Sequence, residues 1–218
     1  MKKILIIGYG DIANRLSSKL NNDDYKIYGV SRNNHNNIEN FISWDWLSED
    51  LPKLESVDYE CIVFIPKPSS FNEDGYIDGF IKSSKNIFNL TKEVSYNRFI
   101  TISSTRVYGE KEKKYLSEHE SIPNEFRGNI ILQYENSQKE RYAKKLIILR
   151  FSGLYDSLAN KKPENHLHRD NAAKIIRFFI ENDFNYSSPE IFNCSEDKSV
   201  SISNKKLKKA GFIFSWYD

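Results

Sequence analysis

Residues 3–13, "KILIIGYGDIA", decide how the rest of the chain is read. The first five, "KILII", form a short continuous apolar run with the look of a strand buried on both faces. From Asp11 the pattern changes, and Ile12, Leu16 and Leu20 recur at four-residue spacing, one face of a helix. Between the two lies a turn with two glycines. Gly8 allows the tight turn, Gly10 lets a backbone approach a ligand closely, and Ala13 is small enough for close helix–strand packing.

Gly-x-Gly-x-x-Ala between strand and helix is the fingerprint of a dinucleotide site. Its pyrophosphate would lie against the free N–H groups of the helix start, where Asp11 and Ile12 stand. The second strand, "YKIYGVS" (25–31), selects the cofactor. An NAD site ends this strand with an acid for the ribose 2′-hydroxyl. Here the strand runs into Ser31 and Arg32, a hydroxyl and a guanidinium that suit a 2′-phosphate, so NADP(H) is expected ahead of NAD. Asp45, in "SWDWL" after a short strand at 41–44, is either an acceptor for the adenine amino group or the cap of a short turn.

The chain keeps alternating. Strand patterns at 59–66, 98–103, 145–151 and 190–194 are separated by helical patterns at about 75–92, 128–144 and 169–182. Apolar runs too long for one-sided burial predict an α/β fold, a parallel sheet with helices on both faces. The loops at 66–74 and 109–126 are long and follow strands, so substrate contacts are expected there. At 218 residues one domain is the default. Lys+Arg 32 against Asp+Glu 30 gives a formal charge of +2, which points neither to nucleic acid nor to a charged membrane surface. The lysine groups at 109–114 and 204–209 read as solvated surface. No stretch reaches the roughly 18 apolar residues of a membrane span. The apolar run at the N-terminus is too short for a signal peptide. Cys61 and Cys194, both inside apolar runs, read as buried thiols rather than a disulfide, as fits the cytoplasm. No metal site is expected.

Several segments resemble the extended short-chain dehydrogenase/reductases, in the NAD(P)-dependent epimerase/dehydratase branch that acts on nucleotide-sugars. Besides "GYGDIA" they are "ISSTRVYG" (102–109), "LSEHESIP" (116–123), "ILRFSGLYD" (148–156), "NHLHRDNAA" (165–173) and "IFNCSED" (191–197). The resemblance implies a Rossmann-type doubly wound parallel sheet, one domain over 1–218, with a reduced C-terminal substrate lobe from about 152–190. It implies a small-molecule substrate of the nucleotide-sugar kind and a homodimer through the helices at 75–92 and 128–144. It places Ser104 on the substrate's reacting oxygen, Thr105 beside the substrate and Ser103 beside the cofactor. His168 and Asp170 are expected to order a loop rather than do chemistry.

The family's acid/base is a Tyr with a Lys four residues on, so that both lie on one helix face. That pair is missing. With Glu135 matched to the family's Glu on this helix, the Tyr position falls on Arg127 and the Lys position on Ile131. Tyr134 is the near miss, but its nearest following lysine, Lys139, stands at i+5, rotated by about 140°. An atypical subgroup with an Arg-Gly at this point also lacks the pair. Arg127 is then either an anion anchor for a substrate phosphate or a surface charge at a helix start. Two readings follow: an oxidoreductase or epimerase in which Tyr134 or Tyr108 substitutes as acid/base, or a module that holds NADP(H) without turnover, as a redox-responsive or scaffolding protein.

Overall fold

The run at residues 3–7 becomes an interior strand, third from one edge, of a seven-stranded sheet in a computed structural model that describes residues 1–34, 38–109, 115–156 and 162–216. In chain order the elements are β1 (Lys2–Ile7), α1 (Asp11–Ser17), β2 (Tyr25–Ser31), β3 (Asn40–Ser43), β4 (Asp58–Phe64), α2 (Glu73–Tyr76), α3 (Ser83–Thr91) and β5 (Ser95–Ser104). There follow α4 (Phe126–Tyr142), β6 (Leu146–Phe151), β7 (Gly153–Tyr155), β8 (His166–His168), α5 (Arg169–Glu181), β9 (Glu190–Cys194) and α6 (Lys205–Lys209). The main sheet runs β3-β2-β1-β4-β5-β6-β9, and every pairing in it is parallel.

Strand alternation splits the core in two. Ile4 and Ile6 face α1 and α5, meeting Leu16, Ile176 and Phe179. Leu5 and Ile7 face the opposite layer, meeting Ile87 of α3 and Ile131 of α4. All four β1 side chains have no exposed surface, which is why the run is unbroken by polar residues. The chain builds outward in one direction from β1 to β3 and then resumes on the other side at β4. Ligand crevices open at such a reversal, beyond the carboxyl ends of the strands.

Three features depart from the sequence expectation. The helix expected at 75–92 is α2, then a π-helical stretch Ile77–Lys82, then α3. Gly75 and Gly79 explain the widened turn: a side chain on either would collide with Ser70, or with Lys67 and Pro68, so the preceding loop is clasped against the helix. Within 152–190, α5 packs into the central core beside α1, while β7 and β8 form a separate two-stranded parallel sheet. Finally, residues 212–215 lie along α5: Phe212 and Phe214 join its core, and the Asn171 amide pairs with both backbone groups of Ser215. The loop residues 110–114 and the substrate-lobe residues 157–161 lie outside the described residues. No described helix is long and apolar enough to cross a membrane.

Candidate functional site

The glycine turn after β1 has one closed and one open side. Gly8 sits at φ 90°, and a side chain there would run into the Ile65 carbonyl. At Gly10, which caps α1, a side chain would meet nothing within 4 Å. Ala13 is fully buried and Ile12 nearly so, as the fingerprint requires. Asp11 is tied to Arg15 at 3.0 Å and Arg169 at 2.8 Å. Partial burial pushes its carboxyl up, but those two guanidiniums outweigh this and hold it below the usual carboxylate range.

Two cavities lie beyond the carboxyl ends of the strands, and Ile12 of the turn lines the second. One, of about 530 Å³, lies beyond β2 and β3 and is walled by Arg32, Trp44, Asp45 and Pro52. Arg32 is exposed, and its carbonyl accepts from Ser43 Oγ at 2.7 Å. The Ser31 hydroxyl donates to Asn33 O at 3.3 Å. Asp45 Oδ1 accepts from Leu47 N at 3.0 Å, so it caps a turn while also lining the cavity.

The second cavity, about 700 Å³, opens beyond β4, β5 and β6. Ile12, Ser103, Ser104, Thr105 and Ile131 line it, and so does the loop at 66–71. Among the described residues no carboxylate, histidine or cysteine lines this cleft. Its ionisable groups are Lys67, Tyr76 and Arg106. Ile131 is 1% exposed.

Ser103 and Ser104 part company at the end of β5. Ser104 lines the cleft, and its Oγ accepts from Arg106 N at 3.3 Å, opening a short 3-10 turn over Thr105–Tyr108. Ser103 donates to Glu135 Oε1 at 2.5 Å. Glu135 in turn takes Arg150 Nε at 2.9 Å and Nη2 at 2.7 Å, a bidentate pair with both partners sealed in the core. The remaining Arg150 nitrogen donates to the Tyr108 hydroxyl at 2.7 Å, which itself donates to Asn193 Oδ1 at 2.7 Å. Burial pushes the Tyr108 phenol up to about 12 against the opposing pull of Arg150. Both neighbours and pKa make it a structural tyrosine.

Tyr134, the other tyrosine singled out by sequence, has no exposed surface and does not line the cleft. Its hydroxyl is bonded to Thr101, and burial raises its phenol well above the ordinary value. Arg127 stacks over Phe126 at 5.3 Å and Tyr76 at 5.8 Å, outside the cleft lining. His168 caps α5 by accepting from Asp170 N at 3.1 Å, and Asp170 pairs with Arg15 and Lys19, so both order this junction. Cys61 and Cys194 are free and buried, with thiols pushed up by burial. No metal-binding group of His, Cys, Asp or Glu occurs among the described residues.

Sequence reasoning passed over Tyr76. It sits in an apolar-looking segment, "GYIDGF" (75–80), that reads as the buried face of a helix. The one signal was the pair of glycines four apart, a mark of close packing against another segment.

No protein-family model matches the chain. No curated protein matches it. Solved structures do. A Methylobacillus flagellatus protein assigned as an NAD-dependent epimerase/dehydratase superposes with a TM-score of 0.78 at 18% identity, over 100% of this chain and 94% of its own. A short-chain dehydrogenase/reductase superfamily protein from Agrobacterium tumefaciens with bound NAD gives 0.79 at 12% identity, over 99% and 93%. UDP-glucuronic acid 4-epimerase from Bacillus cereus, in complex with NAD, gives 0.70 at 20% identity, over 89% and 78%. The parallel sheet, its strand order and these superpositions together establish a Rossmann-like α/β fold.

Proposed function

We propose that the chain binds NADP(H) across the glycine turn and acts as an oxidoreductase or epimerase on a hydroxylated substrate of the nucleotide-sugar type. The observation that carries this is the turn itself, closed at Gly8, open at Gly10, with Ile12 lining one cavity and a second cavity beyond the neighbouring strand β2. The adenosine end would lie by Arg32 and Asp45, with the Arg32 guanidinium free to take a 2′-phosphate in paired hydrogen bonds. The nicotinamide end would lie by Ile12, Ser103 and Ser104. NAD in the Bacillus cereus and Agrobacterium neighbours, and UDP-glucuronic acid with NAD in a second structure of the former, support the ligand classes.

Bound there, the cofactor supplies hydride exchange with a carbon of the substrate. The chain's part is to orient the substrate oxygen through Ser104 Oγ, with Thr105 beside it, and to keep water out with Phe80, Ile131 and Phe151. A homodimer through α3 and α4, in the cytoplasm, belongs to the same reading.

Calorimetry with NADPH and NADH tests the cofactor assignment. NADPH is expected to bind more tightly, and Arg32→Ala to narrow the gap; equal affinities for the unaltered chain would remove the Ser31/Arg32 argument. Turnover, where found, is expected to require Ser104.

A second reading, a module that holds NADP(H) without turnover, is favoured by Ile131, an aliphatic side chain lining the cleft where the family's lysine would stand. Cofactor binding without hydride exchange on any sugar nucleotide would support it.

A further inference from the structure

We infer that Tyr76 is the proton-transferring group of the cleft, with Arg127 as its positioning residue. This rests on the NADP(H) reading above and names the acid/base that it lacks. The nitrogen and oxygen groups of the cleft narrow the choice. Arg106 cannot release a proton near neutrality, and Lys67 is an exposed side chain on a proline-flanked loop. Serine and threonine hydroxyls orient substrates but are poor acids. Tyr76 remains.

Its surroundings are those of a held, unspent group. Tyr76 is 6% exposed and lines the same cleft as Ser104. Among the described residues its hydroxyl has no hydrogen-bond partner, whereas those of Tyr108 and Tyr134 are bonded in the core. Its ring is stacked on Phe80 at 5.6 Å and 22°, and meets Phe126 edge-on at 5.8 Å and 85°. The backbone is fixed by Asn72, whose side chain accepts from Gly75 N at 2.9 Å, and by the clasped glycines on either side. Such a ring has one position, which is what a proton-transfer group requires.

Arg127 completes the arrangement. Its guanidinium lies over the Tyr76 ring at 5.8 Å. Glu125, its carboxylate neighbour, is 4.0 Å from Nε, too far for a hydrogen bond. The cation therefore remains available to the aromatic rings between which it sits.

In the reducing direction the Tyr76 O–H proton passes to the substrate's carbonyl oxygen as the carbonyl carbon accepts a hydride from reduced nicotinamide. The C=O double bond becomes C–O–H and C–H, two electrons leave the dinucleotide, and the phenolate regains its proton from solvent. Oxidation of the alcohol runs the same bonds backwards. Negative charge left on the ring is met by Arg127.

The test uses the full chain labelled with carbon-13 at the tyrosine Cζ, with the Tyr76 signal assigned by its loss in Tyr76→Phe. On saturation with NADP⁺ and then with NADPH, the Tyr76 signal is expected to move and to differ between the two redox states, with Tyr108 and Tyr134 unmoved. Arg127→Ala is expected to abolish that difference, and Arg127→Lys to restore part of it. A Tyr76 signal identical in both states, with calorimetry confirming that the cofactor is bound, overturns the inference alone. Absence of cofactor binding overturns the function proposed above and this inference with it. For any carbonyl that the chain reduces, Tyr76→Phe is expected to lower kcat by about 100-fold or more, with cofactor affinity held within about two-fold. An unchanged kcat overturns the assignment.

Discussion

Ser103 and Ser104 are consecutive residues on one cleft, yet their hydroxyls belong to two regions with opposite chemistry. Ser103 enters a sealed network in which Glu135, Arg150, Tyr108 and Asn193 pair with one another. Ser104 faces a cleft where Tyr76 and Lys67 have polar ends without protein partners among the described residues. Both serines line that cleft, and the division lies in their hydroxyls: Ser103 Oγ donates to Glu135 Oε1, whereas Ser104 Oγ only accepts from Arg106 N. The difference separates two kinds of buried polarity. A network whose members satisfy each other is structural, and its loss shows in stability. Polar groups in excess of their partners are there for a ligand, and their loss should show in binding or turnover.

The largest effect should come from breaking the network. Glu135→Ala leaves Arg150 buried without its counter-ion and is expected to cost about 3–5 kcal/mol in urea unfolding. The double variant Glu135→Leu with Arg150→Met is expected to recover most of that loss, because no lone charge is left. Failure to recover would show that the pair does more than neutralise itself. Next comes the glycine turn, where the two glycines should separate cleanly. Gly8→Ala forces a side chain onto the Ile65 carbonyl at positive φ and is expected to cost about 1–3 kcal/mol. Gly10→Ala, at φ −123° with open space ahead, should leave the melting temperature nearly unchanged and weaken NADPH binding. The reverse pattern would place the ligand elsewhere.

Thr101→Val strips the Tyr134 hydroxyl of its partner and is expected to cost about 1–3 kcal/mol without altering cofactor affinity. A change in affinity would return Tyr134 to the site. The smallest expected effect is that of pH. Burial lowers the His168 pKa, so the folded state favours its neutral form. The unfolded chain then takes up this proton first, and stability present above about pH 6.5 declines as the pH falls. Asp11 and Asp170, both held below the usual range, add a second loss below about pH 4. A melting temperature that rises on acidification from pH 7 to 5 would refute the sign.

Periodicity and punctuation carried most of the architecture. The strand at 190–194 and the helix from residue 169 coincide with β9 and α5, because each is bounded by a sharp change of composition. What escaped were features defined by partners distant in sequence. The β7–β8 sheet is three residues per strand, too short for a pattern. The π-helical stretch depends on the 67–70 loop lying against Gly75 and Gly79, which no local window contains. The site divides the same way. Gly8, Gly10 and Ser104 announce themselves by motif, whereas Tyr108 and Tyr134 look identical to Tyr76 until their hydroxyls are traced. A phenol's role is fixed by what its oxygen meets, and that is a property of the fold.

The strap formed by residues 212–215 has a consequence for synthesis. A nascent chain gains β1, an interior strand of the sheet, long before the Phe212–Phe214 pair. Until that pair emerges from the ribosome, Phe178 of α5 lacks the edge-on contact with Phe212 at 5.6 Å, and the Asn171 amide lacks both its Ser215 partners. The α1–α5 layer is therefore complete only once residues 212–215 have been made, and a chain that stopped before them would present that apolar flank to chaperones.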